Sequence, residues 1–211
     1  MRTLPVLDTP EGRKYILPDG TQLVSMTTLL SATMKDKAEV LTKWKARVGE
    51  TAAARISHEA TTKGKSFHKI AEDYLHNRLD PSLLLSSERH RFNCALSSLN
   101  RIDNVRHVEQ GLYSRKLRIA GTVDAIADFD CIPSVIDHKT SRSLKKEAWI
   151  ENYFLQKTGY ALMYEELTGV KIKQIVTIIS VESADFCQVF VKNPDDYKQK
   201  LFSLILEYYA Q

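Results

Sequence analysis

The sequence predicts an α/β (α+β) protein, a central β-sheet flanked by helices with a helical part ahead of it. Three observations carry this. Two apolar runs of period-2 character, Thr122–Asp128 and Ser134–Thr140, flank an Asp-Cys-Ile-Pro turn and read as a β-hairpin. The β-branched run Ile172–Val181 reads as a buried strand. The apolar stripe at 3.6-residue spacing over Ala60–Asn77 and the six-turn stretch Glu147–Thr168, ended by Gly169, read as helices on either side of the hairpin in sequence.

The hairpin holds the first chemical signal. With the turn centred between Asp130 and Cys131, residues pair when their numbers sum to 261, and Asp124 faces Asp137. Directly opposed residues share a face, with Cβ atoms about 5 Å apart. Lys139, two residues on, shares that face. Ile126, Val135 and Ile136 make this a core hairpin. Two carboxylates inside an apolar frame repel unless a divalent cation lies between them.

The remaining elements follow in order. Pro18-Asp19-Gly20 marks a turn between two short strands within Lys14–Val24. Ser25 or Thr27 caps a short helix over Thr28–Ala32. A helix over Ala38–Val48 carries a stripe of Val40, Leu41, Trp44 and Val48, with core packing the expected role of Trp44. Gly49 interrupts it, and Thr51–Ile56 is helical again. In Ala60–Asn77, Phe67, Ile70, Ala71, Tyr74 and Leu75 form the apolar stripe. His68 and Glu72, four apart, share a face beside it, and Gly64 is expected to let another backbone approach. Ser86 and Ser87 cap a helix over Glu88–Asn100. Three meander strands are expected at about 106–114, 117–128 and 134–140, and a basic connection then leads into the helix 147–168, ended by Gly169. Gln156 and Tyr160 are one turn apart on that helix. Phe186–Val191 pairs with the buried strand, and Asn193-Pro194 starts a last helix, Asp195–Tyr209. The organisation expected is a single domain over 1–211: a mostly helical part over 25–104, a core sheet over 105–192 and a C-terminal helix over 193–211.

Composition excludes several classes. With 43% hydrophobic and 27% charged residues, the chain is of ordinary globular type. No run of about 18 apolar residues is present, so no membrane partner is expected. The opening MRTLPVLDTPEGRKYILPDG lacks the apolar core of a secretory signal, and a cytoplasmic location is expected. Cys94, Cys131 and Cys187 are dispersed and odd in number, which disfavours a disulfide framework, a cysteine-rich zinc site or an iron–sulphur cluster. A net charge of +4 permits a nucleic-acid partner without demanding one.

In chain order the motifs are G-x-x-x-H-x-x-x-E from Gly64, Glu109 on a strand, G-x-x-D from Gly121, D-x-K from Asp137 and Q-x-x-x-Y from Gln156. The series resembles the PD-(D/E)XK nuclease superfamily in its RecB-like branch, and within it the mitochondrial genome maintenance exonucleases and their phage relatives. The resemblance runs from Gly64 to about Ser180. SMTTLLSATMKDKAEVLTKWKARVG also looks like that group's helical entry segment. No Pro precedes Asp124, and D-x-K stands for E-x-K; both are accepted variants of the branch.

The resemblance implies a restriction-endonuclease-like mixed central sheet. It implies a Mg²⁺- or Mn²⁺-dependent deoxyribonuclease with one or two ions, acting on single-stranded DNA or DNA ends in replication, recombination or repair. A monomer in the cytoplasm of a bacterial or phage-infected host cell is the matching expectation. Asp124, Asp137, the His138 carbonyl, His68 and Glu109 would ligate metal. Lys139 would orient the attacking water, and Gln156 and Tyr160 would line the catalytic site and contact DNA. Lys65, Arg115, Ser141, Arg142 and Lys145 are further candidate DNA contacts. Lys35, Lys37, Lys43, Lys45, Arg47, Lys63 and Lys69 add positive charge to the N-terminal helices. The chemistry agrees: phosphodiester cleavage needs a nucleophile made from water and a counter-charge for the phosphate, both of which oxygen-ligated Mg²⁺ supplies. Competing readings are a structure-selective endonuclease on the same fold and a non-catalytic DNA-binding recombination accessory protein.

Overall fold

The two period-2 runs form adjacent antiparallel strands in the computed structural model, which describes residues 4–210, the side chains of 35–38 excepted. These strands are β5 (Ile119–Phe129) and β6 (Ile132–Ser141). Their pairs run from Phe129↔Ile132 to Ala125↔Ile136, so the sum-to-261 register holds. Asp130 and Cys131 both have positive φ, 51° and 63°, the backbone of a two-residue type I′ turn. That turn continues the strand twist and sets the register.

Around this hairpin the described residues build one eight-stranded mixed sheet. An N-terminal meander comprises β1 (Val6–Thr9), β2 (Gly12–Ile16) and β3 (Gln22–Ser25). The long β4 (Ile102–Ser114) pairs with β5 along its length, and β7 (Gln174–Val181) and β8 (Cys187–Lys192) extend the sheet beyond β6. All eight residues of β7 are buried, the polar Gln174, Thr177 and Ser180 among them, as a strand covered on both faces requires. The pairs β3–β5 and β6–β7 are parallel; the others are antiparallel. The architecture is the mixed sheet flanked by helices of a restriction-endonuclease-like α+β fold.

The helices cover both faces. Helix α1 (Met26–Thr33), α5 (Glu151–Thr168) and α6 (Asp195–Ala210) pack on one, with Met26, Phe154 and Leu201 against Val135, Ile175 and Ile179. Helix α3 (Glu50–Leu75) and α4 (Ser86–Leu99) pack on the other, with Phe67, Phe92 and Leu99 against Ala125, Phe129 and Ile178. Ser25 caps α1 by accepting the Thr28 N–H, and Asn193 accepts that of Asp195 at the start of α6.

Some local expectations change. Residues Val6–Thr9 add a strand that composition did not suggest. The two helical stretches expected after Gly49 are one 26-residue helix. Helix α5 begins at Glu151; Glu147–Trp149 is a separate 3₁₀ turn, because buried Ile150 takes non-helical dihedrals, φ −118° and ψ 16°. The stripe on α2 (Lys35–Val48) is not core: Val40 and Leu41 are exposed, and Trp44 is half-buried on an open groove facing Trp149. Gly64 has room for a Cβ, whose nearest neighbour would be Thr140 Oγ1 at 3.8 Å, so close backbone approach does not explain it.

Candidate active site

Strand β5 creates the site by having two partners on one edge. Strand β4 holds its other edge. On the free edge β3 pairs with Ile119 and Ala120, while β6 pairs with Ala125 to Phe129. Between these ladders, Gly121–Asp124 faces a fork, and a cleft of about 390 Å³ opens there. Asp124, Asp137, Lys139, His68, Glu109, Gln156 and Tyr160 all line it.

The antiparallel ladder stops one pair before the two aspartates. The backbone N–H of His138 therefore has no strand acceptor there, and donates to Asp124 Oδ2 at 2.8 Å. In a strand, the N–H and C=O of one residue address the same neighbour, so the His138 carbonyl faces the same edge. His68, on α3, places Nδ1 3.1 Å from Asp124 Oδ2. Burial raises the Asp124 carboxyl pKa, but the hydrogen bonds from His138 and His68 and the charges of His68 and Lys139 outweigh it and hold the group well below its ordinary value. Burial lowers His68, and Asp124 more than compensates, so its imidazolium is favoured.

Glu109 enters from β4. It lies between the regular pairs Val108↔Ala125 and Gln110↔Val123, opposite Asp124, with φ +48°. A non-glycine residue in that region costs on the order of 1–3 kcal/mol and persists where its surroundings over-determine it. Its carboxyl is pushed up to about 7 by partial loss of hydration and then by the Asp124 charge, with Glu72 and Asp137 adding to it. The ligand atoms of His68, Glu109 and Asp124 lie within 4.8 Å of one another. One imidazole nitrogen and two carboxylates, crowded enough to keep a carboxyl protonated near neutral pH, are a donor set that fits one divalent cation. Glu72, beside His68 on α3, is instead paired with Arg78 and Lys69.

Asp137 is buried and turned to two ammonium groups. Lys139 Nζ is 2.5 Å from its Oδ1 and Lys157 Nζ is 3.4 Å from its Oδ2. The Asp137 side chain is thus not part of the convergent His68–Glu109–Asp124 group. Burial opposes the Lys139 charge, but Asp137 and Asp124 hold its pKa above the ordinary lysine value. Lys157 has no exposed surface and is lowered to about 8, chiefly by burial. Sequence reasoning missed it: it is flanked on α5 by buried Phe154, Leu155, Thr158 and Gly159, with no polar face to single it out.

Gln156 Nε2 donates to Tyr160 Oη at 2.9 Å. Tyr160 is buried, which holds its hydroxyl well above its ordinary pKa and leaves it a neutral hydrogen-bonding group. Arg13 and Tyr15 of β2 also line the cleft, with Tyr15 Oη 3.2 Å from Thr122 Oγ1. No local motif marked them; the non-local β3–β5 pairing delivers them.

The candidate DNA contacts divide. Lys65 is exposed on α3, three residues before His68. Arg142 is exposed and bonded to Glu59 on the same helix. Ser141 is buried and donates to the Ser143 carbonyl, and the Lys145 backbone is tied to Gln188. Arg115 is bonded to Asp19 in the β2–β3 turn and does not line the cleft. Lys35 and Lys37 fall outside the described side chains.

No family model matches the chain. It is 30% identical over 155 residues to mitochondrial genome maintenance exonuclease 1 of Xenopus tropicalis, a match spanning 67% of this chain and 42% of that protein. The chain thus spans less than half the length of the curated relative it matches. A solved structure titled "Crystal structure of SSO0001" aligns over 89% of this chain and 74% of its own at 15% identity, with a TM-score of 0.46, too loose a likeness to carry an argument. Among the described residues, no helix is long and apolar enough to cross a membrane.

Proposed function

We propose that the chain is a metal-dependent DNA nuclease of the PD-(D/E)XK, RecB-like kind, an exonuclease preferring single strands or free ends, in replication, recombination or repair. One observation carries the reading: the fork in the sheet gathers His68, Glu109 and Asp124 within ligand distance and sets the Asp137–Lys139 pair in the same cleft. The similarity to an exonuclease named for genome maintenance supports it.

His68, Glu109 and Asp124 would hold a Mg²⁺ or Mn²⁺ ion, with Asp137 and the His138 carbonyl as further ligands. When bound, such an ion supplies a counter-charge for the phosphate and makes water a nucleophile near neutral pH. Lys139 stays protonated, places a point charge beside the scissile phosphate and orients the attacking water. Lys157 holds the Asp137 carboxylate in place. Gln156 and Tyr160 form a neutral polar wall for the substrate strand. Beyond the cleft, Trp44 and Trp149 line a groove with Arg47 and Lys43, a combination suited to stacking bases and tracking phosphates of a thin strand.

The test uses end-labelled and circular DNA, single- and double-stranded, with and without Mn²⁺. Release of short products from linear single strands, with circles intact, is expected. Cleavage of closed single-stranded circles would replace this reading with an endonuclease, and binding without cleavage with an accessory protein.

A further inference from the structure

A second group of metal-type donors lies outside the cleft. His90 and Cys94 are four apart on α4 and therefore project from the same face. Asp185 reaches them from the connection between β7 and β8. His90 Nε2 is 3.6 Å from Cys94 Sγ and 3.5 Å from Asp185 Oδ1, and the three ligand atoms lie within 4.8 Å of one another.

These separations can be compared with what a metal demands. A tetrahedral zinc ion with bonds of about 2.0 Å to nitrogen and oxygen and about 2.3 Å to sulfur sets its ligand atoms about 3.5 Å apart for N···S and about 3.3 Å for N···O. The observed distances meet both edges to within a few tenths of an ångström. Pairwise attraction is a poor explanation for the arrangement. His90 and Asp185 are both largely exposed, 62% and 94%, and a pairing between side chains that exposed contributes little. A thiol is also a weak hydrogen-bond partner.

We propose that His90, Cys94 and Asp185 form a second metal site, for a zinc-class cation, that clamps α4 to the β7–β8 connection. Thiolate, imidazole and carboxylate together suit a borderline-soft ion rather than Mg²⁺, so the site differs in chemistry from the sulfur-free group in the cleft. The ion displaces the Cys94 thiol proton to solvent on binding. Three protein ligands leave a fourth position for water. Helix α4 packs against α3, which carries His68, so the clamp stabilises the layer beneath the cleft without touching it. Cys187 is partly buried and does not belong to this convergent group of ligand atoms.

The probe is Co²⁺ titrated into the full chain under reducing conditions, read by the near-ultraviolet thiolate-to-cobalt charge-transfer band. The band should saturate at a single cobalt per chain, be displaced by Zn²⁺, vanish in Cys94→Ser and persist in Cys187→Ser and Asp124→Asn. His90→Ala and Asp185→Asn should each weaken binding at least about tenfold. Zn²⁺ should raise the melting temperature of the wild type and not of Cys94→Ser. Absence of the band in folded wild type, its survival in Cys94→Ser, or its loss in Cys187→Ser would overturn the proposal.

Discussion

The ring of Tyr160 fills the space that a side chain at residue 121 would need. A Cβ on Gly121 would lie 2.5 Å from Tyr160 Cε1, 3.1 Å from its hydroxyl and 3.2 Å from Cζ. The glycine of G-x-x-D and the tyrosine of Q-x-x-x-Y are therefore one packing unit, and the ring is pressed against the strand that delivers Asp124. Gly121→Ala should cost about 1–3 kcal/mol through overpacking and displace the Gln156–Tyr160 hydrogen bond. A urea titration that shows no loss of stability would contradict this contact.

Lys157 should matter more to function than its buried position on α5 suggests. Its ammonium is one of two on Asp137. Lys157→Met should leave a folded protein with activity reduced at least about tenfold, since a loosened catalytic group forfeits that much. Stability carries a pH signature. The folded-state pKa is depressed to about 8 from an ordinary 10.5. Between those values the unfolded chain binds the extra proton, so this group's contribution to stability rises with pH across that window. Melting curves from pH 8 to 10.5 should show that rise reduced in Lys157→Met.

Glu109 has the opposite sign. Its folded-state pKa, about 7, lies above an ordinary 4.5. The folded state then binds the proton more tightly. The contribution is complete below about pH 4.5 and is lost as pH rises through about 7. Glu109→Gln should flatten that slope in metal-free protein. Mn²⁺ should raise the wild-type melting temperature more at pH 7.5 than at pH 5, because ion and proton compete for the same carboxylate. Equal shifts at the two pH values would remove Glu109 from the ligand set.

Local patterns made much of this legible. The β5–β6 register followed from period-2 alternation and a two-residue turn, both written within Thr122–Thr140. The positions of Gln156 and Tyr160 followed from helical spacing. What escaped notice depends on non-local contacts. The fork at Gly121–Asp124 exists because β3, about 100 residues upstream, pairs in parallel with the start of β5. Arg13 and Tyr15 reach the cleft by that route. Lys157 was hidden because α5 is buried around most of its circumference, so no polar stripe marks its lysine. The stripe carrying Trp44 reads as core, yet α2 turns Val40, Leu41 and Trp44 toward an open groove.

The central claim is that this cleft hydrolyses DNA through Asp137 and Lys139. The most direct measurement is the initial rate of product release from end-labelled single-stranded DNA with Mn²⁺, for wild type, Asp137→Ala and Lys139→Ala, with circular dichroism melts as the check on folding. Both variants should fold and lose activity by roughly 100-fold or more, the scale expected for a group that stabilises the transition state electrostatically. Wild-type rates in either folded variant would contradict the assignment.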